Sequence, residues 1–564
     1  MTMEETAPPG QKKTRTVIIG LDGGTFDVID PLLAEGKLPN LAGLIERGAR
    51  APLKSVIPPV TGPAWTSFMT GKEPGRHGLF DFVKPVKDSY AREPVNYSHI
   101  RARTIWSILS DAGLDVGIVG VPATWPPPKV NGFVVTGMLT PGTDVAYTHP
   151  PELAAEIEKK FGPYTLDIWW QSYGRGQEDL LLDELERCAT QRWTVALDLM
   201  ESRPCDVFMM VFEATDRIHH ALWHLIDPGA ELDARGRRLR DRIVAVYSEI
   251  DRGIGRLVDA AGPEANVFIM SDHGFGPLTG KFAINTWLEQ EGFLHCTGWN
   301  RQAVRGRKKA ASLVKWLRQR IGPTGPGRLL QKALSLVRKP KQGTPYRFLQ
   351  HIDWSKTRAY SVSNTESGIY VNLEGREPQG IVKPGAEAEA LKKEIVEKLQ
   401  QIEHPHTGEQ LIPADRAGLR EDVYDGPFVA RAPDILFFLK EGEYPVDVNL
   451  DPELFQPATA KTGSGSHRMN GIFCAGGPEI RQGARPELPS ITDLAPTILG
   501  LLDLPIPSDM DGAVLREILT DDALGSHSFA TREADEKEFS EETRDFTDDE
   551  AAQVEKQLKD LGYL

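Results

Sequence analysis

The sequence predicts an α/β fold: a mainly parallel central sheet flanked by helices, with a smaller α+β lobe. The first observation is that short apolar runs alternate with polar or amphipathic stretches of helical length from residue 15 to about 300, the pattern of βαβ units. The strand candidates are Thr16–Leu21, Val116–Val121, Gly132–Gly137, Val207–Phe212 and Val267–Met270. The second is a helix over Asp233–Ala261, whose apolar positions Ile243, Val246, Ile250, Ile254, Leu257 and Val258 follow the 3.6 period. The third is a change of pattern past residue 290. Strand-like pieces Arg358–Val362 and Gly368–Val371, a helix near Glu387–Gln401 and the run Asp434–Leu439 form the lobe, and the chain rejoins the main sheet at Gly471–Ala475.

These patterns divide the chain into a disordered N-terminus (1–14), a core (15–290 and 441–520), an inserted lobe (291–440) and an acidic linker with a short helix, Glu550–Leu561, in 521–564. Within the lobe, residues 301–347 hold fourteen Lys or Arg and no Asp or Glu, a basic amphipathic helical hairpin candidate that suits an anionic membrane surface or a polyanion, with a solvated insertion as the plain alternative. The acidic tail is a candidate to pair with it.

With 564 residues, 40% hydrophobic and 26% charged, the chain can bury a large core, which excludes disordered, collagen-like and coiled-coil classes. Eighty acidic against 65 basic residues argue against general nucleic-acid binding. Cys188, Cys205, Cys296 and Cys474 form no CxxC pair, so neither a disulfide framework nor a thiolate zinc site is expected. A polar N-terminus and the lack of any long apolar run point to a cytoplasmic protein, peripheral at the inner face of the membrane if the basic segment docks there. Oligomeric state leaves no mark in the sequence.

Chemistry gathers just after the strand candidates, the edge where open parallel sheets bind ligands. Asp22 follows the first run, Asp216, His219 and His220 follow Val207–Phe212, Asp272 and His273 follow Val267–Met270, and His467 precedes Gly471. Singly, each is an ordinary helix cap or hydrogen-bonded histidine. Together they supply three carboxylates and three imidazoles, too many for one tetrahedral ion, so two divalent ions are implied; mixed O and N donors suit Zn²⁺, with Mn²⁺ next. Asp216 and His220 stand at i and i+4, on one face of a helical turn, and Gly274 gives the backbone freedom for Asp272 and His273 to converge. Two ions fit displacement at phosphorus. The nucleophile is a metal-bound hydroxide or a side-chain alkoxide, for which Thr61, in a Pro- and Gly-rich turn before a helix, is the candidate; a helix-capping Thr is the plain alternative.

These motifs, with Thr70–Gly78, Ile491–Leu499 and Asp509–Gly512, resemble the alkaline phosphatase superfamily, in particular its type I phosphodiesterase/nucleotide pyrophosphatase branch, over about residues 14 to 520. The resemblance implies that Asp22, Thr61, Asp272 and His273 hold one ion, that Asp216, His220 and His467 hold the other, and that Thr61 forms a phospho-enzyme; His219 is the alternative to His220. It also implies a small phosphate-ester substrate, diester or pyrophosphate before monoester, because no Arg stands beside Thr61 to neutralise a further charge. The sequence departs from the branch where Asn residues help to hold a phosphoryl oxygen: Phe82 and Ala64 stand there instead, leaving the Gly62 amide, Arg76, Lys281 or Asn285 as replacements. It is similar to prokaryotic members described as phosphohydrolases or phosphomutases. A monoesterase or phosphomutase of the same superfamily and a non-catalytic binder of phosphate-bearing ligands are the competing functions. Specificity falls to the lobe and to loops carrying Trp125, Trp169 and Trp170.

Overall fold

The computed structural model describes residues 14–174, 176–298, 346–459, 462–534 and 543–564. The N-terminus at 1–13 and the basic segment 301–347, except its last two residues, lie outside them.

An eight-stranded sheet runs in the order Ala49–Lys54, Asn470–Gly476, Asn266–Met270, Thr16–Leu21, Val207–Phe212, Val116–Val121, Gly132–Thr136, Thr148–His149. The five strands from Asn266–Met270 to Gly132–Thr136 are mutually parallel, and Asn470–Gly476 and Thr148–His149 join antiparallel. This is the expected mainly parallel α/β sheet. Thr16–Leu21 and Val207–Phe212 are buried at every position, as parallel strands covered on both faces must be, hence their unbroken apolar runs. Ala49–Lys54 was not among the sequence's strand candidates. It is an edge strand that alternates buried and more exposed residues and tolerates Pro52 because its outer side carries a single bridge, Lys54 to Ser490, rather than a full ladder.

Helices cover both faces. The predicted helix appears as Ala234–Ala261 with Asp233 as its cap, the carboxylate accepting from Gly236 N at 2.7 Å, and it packs beside Glu178–Ser202. One buried apolar cluster spans Val17 to Phe275 and Ile472 to Tyr563; a second, between Phe282 and Val448 with Tyr90, holds a four-stranded sheet and the helix Ala386–Leu399. The segment read as a linker contains a short helix, Asp521–Ser526, and the last helix, Asp548–Leu561, buries Val554, Leu558 and Leu561 against the first cluster. Among the described residues no helix is long and apolar enough to cross a membrane.

Candidate active site

Three adjacent parallel strands aim their carboxyl ends at one point. Asp22 follows Thr16–Leu21, Asp272 follows Asn266–Met270, and Asp216 lies in the first turn of the helix Ala214–Ile226 that succeeds Val207–Phe212. Beyond Asp272 the chain bends into Gly274–Pro277, which pairs antiparallel with Gly465–Arg468 and sets Phe275 opposite His467. That hairpin carries His467 back over residues far away in sequence. Gly274 is needed for space rather than for an unusual φ: a Cβ there would sit 1.9 Å from the Asn470 carbonyl oxygen. Gly274→Ala is therefore expected to cost about 1–3 kcal/mol in chemical denaturation, since backbone must move to admit the methyl.

The seven residues marked in the sequence form two contiguous groups. Ligand atoms of Asp22, Asp272 and His273 lie within 4.8 Å of one another, as do those of Asp216, His220 and His467. His273 Nε2 is 3.3 Å from Asp272 Oδ2, 3.7 Å from Asp22 Oδ1 and 3.4 Å from Thr61 Oγ1. Asp216 Oδ1 is 3.5 Å from His220 Nε2 and 3.6 Å from His467 Nε2. The His273 and His467 rings stack at 3.8 Å and join the groups.

Each carboxylate is held by one oxygen and leaves the other bare. Asp22 Oδ2 accepts from Trp65 Nε1 at 3.4 Å, Asp272 Oδ1 from Gly23 N at 3.1 Å, and Asp216 Oδ2 from Arg217. Asp22 Oδ1, Asp272 Oδ2 and Asp216 Oδ1, which face the imidazoles, are buried with no hydrogen-bond partner. An orphaned buried carboxylate oxygen is costly, and a cation removes that cost. The histidines are prepared in the same way. Nδ1 of His273 donates to Gly274 O at 3.1 Å and Nδ1 of His467 to Pro59 O at 3.0 Å, so each turns an Nε2 lone pair toward the bare oxygens.

The electrostatics agree. Burial, with the charges of Asp272 and Asp216, holds Asp22 well above the usual carboxylate range, and burial raises Asp272 to about 8. Burial opposes ionisation of Asp216 too, but His220 and Arg217 outweigh it and hold that carboxyl low. Burial drives His220 down to about 3, so it is neutral, as a ligand must be.

Thr61 opens the fully buried helix Thr61–Thr70, but the cap position is Val60 and the Thr61 side chain caps nothing, which removes the plain reading of this residue. His219 is committed elsewhere: Nδ1 donates to Gly23 O at 3.0 Å and Nε2 pairs with Tyr247 Oη at 2.6 Å. His220, not His219, faces the site. Of the side chains weighed as replacements at Phe82, Asn285 donates to Ser361 O and Val448 O, and Arg76 pairs with Asp511 and Asp425. Lys281 lines the cavity that opens onto His220 and His467. Trp170 lines it too and stacks on His220 at 5.7 Å, whereas Trp125 is core, stacked on Phe546. Sequence reasoning missed the buried Arg217, whose guanidinium bridges Asp216 to Asp167 (Nη2 to Oδ2, 2.6 Å). Its signal was its place beside Asp216 on a buried helix. Tyr563 was missed as well, and its surroundings along the chain give no signal.

No curated protein matches the chain. Among solved structures, phosphonoacetate hydrolase from Sinorhizobium meliloti 1021, in complex with phosphonoformate or with phosphonoacetate, superposes with a TM-score of 0.52 at 16% identity, covering 86% of this chain and 94% of that one. Human ectonucleotide pyrophosphatase/phosphodiesterase 5 aligns with a TM-score of 0.43 at 14% identity over 91% of this chain and all of its own. The match to type I phosphodiesterase/nucleotide pyrophosphatase runs over residues 16–468, from the first strand through His467, so the chain belongs to that family of phosphoester hydrolases.

Proposed function

We propose that the protein is a two-cation phosphoric-ester hydrolase in which Thr61 attacks phosphorus, with a phosphodiester or pyrophosphate as substrate. The observation that carries this reading is the convergence of three bare carboxylate oxygens on imidazole nitrogens beside the Thr61 hydroxyl. Asp22, Asp272, His273 and Thr61 would hold one divalent cation and Asp216, His220 and His467 the other, a donor set suited to Zn²⁺ or Mn²⁺. When bound, the pair neutralises the charge gathering on the attacking and leaving oxygens.

The chain's own groups do the rest. As the Thr61 Oγ1–P bond forms, its hydroxyl proton passes to solvent, the P–O bond to the leaving group breaks and the departing oxygen takes a proton from solvent; Thr61 then carries the phosphoryl group with its remaining ester, and water cleaves Oγ1–P, one of its protons restoring the hydroxyl. Arg217 fixes the Asp216 carboxylate, and Trp65 and the Gly23 amide fix Asp22 and Asp272. Among the described residues lining the cavity, Lys281 is the only cation, which favours a singly charged diester over a dianionic monoester. Pro58, Leu278, Phe438, Tyr444 and Leu561 give the cavity an apolar side for the leaving group.

Protein purified without chelator is expected to hold about two ions per chain and to cleave bis-p-nitrophenyl phosphate faster than p-nitrophenyl phosphate. The fold likeness puts phosphonoacetate beside them in the substrate panel. Absence of bound metal together with no turnover after addition of Zn²⁺ or Mn²⁺ overturns the reading. The histidine assignment has its own check by elemental analysis: His220→Ala is expected to retain about one ion, whereas His219→Gln keeps both.

A further inference from the structure

Tyr563 belongs to no motif, yet it enters the centre of the site. The last helix is moored by Gln557, whose amide donates to Thr140 O and Pro141 O at 3.0 and 2.8 Å, and by Trp170 Nε1, which donates to Leu561 O at 3.0 Å. Gly562 then turns the chain with φ 94°, the left-handed cap that glycine adopts most readily. The turn sends Tyr563 inward, where it is 4% exposed. Its ring lies 4.7 Å from that of Phe82 and 6.0 Å from that of His467, and its hydroxyl is 3.3 Å from His220 Nε2. Phe82 in turn packs against Gly62, the neighbour of Thr61, so one phenol touches the His220 and His467 group, borders the Thr61 turn through Phe82 and also lines the cavity.

A phosphorus atom under attack by Thr61 lies beside Oγ1, which is 3.4 Å from His273 Nε2; the His273 ring stacks on that of His467, beside the phenol. An ordinary phenol keeps its proton at neutral pH and is a donor. Without a cation its neighbour is the His220 Nε2 lone pair; once that lone pair is given to a cation, the O–H is free for another acceptor. Phe82 has no polar atom and serves instead as the surface on which the phenol ring rests. We infer that the Tyr563 hydroxyl is a catalytic hydrogen-bond donor to a non-bridging phosphoryl oxygen during attack by Thr61, an inference that rests on the function proposed above. The proton stays on the phenol, and the bond strengthens as negative charge spreads over the phosphoryl oxygens.

Tyr563→Phe removes one oxygen and keeps the ring on Phe82. It is expected to lower kcat by about 10²-fold with little change in KM. Bound metal and thermal midpoint should stay those of the unaltered protein, and inorganic phosphate, titrated calorimetrically into the metal-loaded protein, should bind about tenfold more weakly. Loss of an ion from the variant, or kcat and phosphate affinity within about twofold of the unaltered protein, overturns the inference. If the unaltered protein shows no Thr61-dependent hydrolysis, the functional reading fails. The catalytic role falls with it, and the phosphate titration keeps the two failures apart, since it needs no turnover: equal binding by parent and variant defeats the hydrogen bond itself, whatever the reaction.

Discussion

Thr61→Ala is expected to abolish ester hydrolysis, by about 10³-fold or more, while the protein keeps both its ions and its fold. On the proposed reading Thr61 is one donor among four, and the clustered Asp22, Asp272 and His273 would remain to hold the ion. The substitution removes the only hydroxyl oxygen recorded beside His273 Nε2 among the described residues, at 3.4 Å, so the loss falls on the chemical step. The helix should tolerate the change, because Val60 is its cap and Ala is a good helix former. Thr61→Ser keeps the oxygen and should retain most turnover. Acid-quenching the unaltered enzyme with a slow diester, followed by peptide mass analysis, should find the phosphoryl group with its remaining ester on Thr61 and on no peptide of the Ala variant. An Ala variant that still turns over within about tenfold would mean that water attacks directly and that Thr61 is only a ligand.

Much of this arrangement was legible along the chain, for a physical reason. A parallel strand buried on both faces has to be apolar throughout, so a charged residue at its end stands out, and the sheet itself brings such ends together. Asp22, Asp216 and Asp272 announce themselves in this way, and the i, i+4 spacing picks His220 from its neighbour His219. His467 was legible only with the family's motifs in mind, because its place depends on a hairpin pairing with Phe275 across 192 residues of chain, 275 to 467. The edge strand Ala49–Lys54 escaped because half its residues face outward and it carries a proline. Arg217 and Tyr563 escaped for a different reason. Beyond its place beside Asp216, nothing in the local pattern tells a buried, paired Arg from a solvated one, and nothing tells an inward Tyr after a helix from an ordinary exposed one. The lobe strands were found where apolar runs are long, as at Gly368–Val371, whereas the expected Arg358–Val362 shrinks to the two residues Ala359 and Tyr360.

Stripping the protein with a chelator is expected to leave a fold whose stability declines between about pH 7 and pH 8. Burial, with the charge of Asp216, raises Asp272 to about 8, and burial with the charges of Asp272 and Asp216 keeps Asp22 high as well. An unfolded chain gives up these protons near the ordinary Asp value of about 3.9. Below about pH 7 the buried His77, His219, His220 and His273, held low by burial, pull the other way, because the unfolded chain protonates them near 6.5 and the native state does not. Above that these two carboxyls leave the native state binding more protons than the unfolded one, so each rise in pH favours unfolding. A cation offsets the carboxylate charges, and one ion at a thousand times its Kd adds about 4 kcal/mol. The loaded protein should therefore melt well above the stripped one at pH 8, with a smaller gap at pH 7. Asp272→Asn separates the two contributions. Its amide oxygen still accepts from the Gly23 N–H, but the charge is gone, so the stripped variant is expected to be more stable than the stripped parent at pH 8 and to vary less with pH, while holding one ion fewer and losing activity. Thermal midpoints of parent and variant, stripped and loaded, at three pH values measure all of this. A stripped parent whose midpoint does not fall between pH 7 and pH 8 would overturn the protonated state of these buried carboxyls, and a variant that binds metal as the parent does would remove the cation from the Asp22, Asp272 and His273 group.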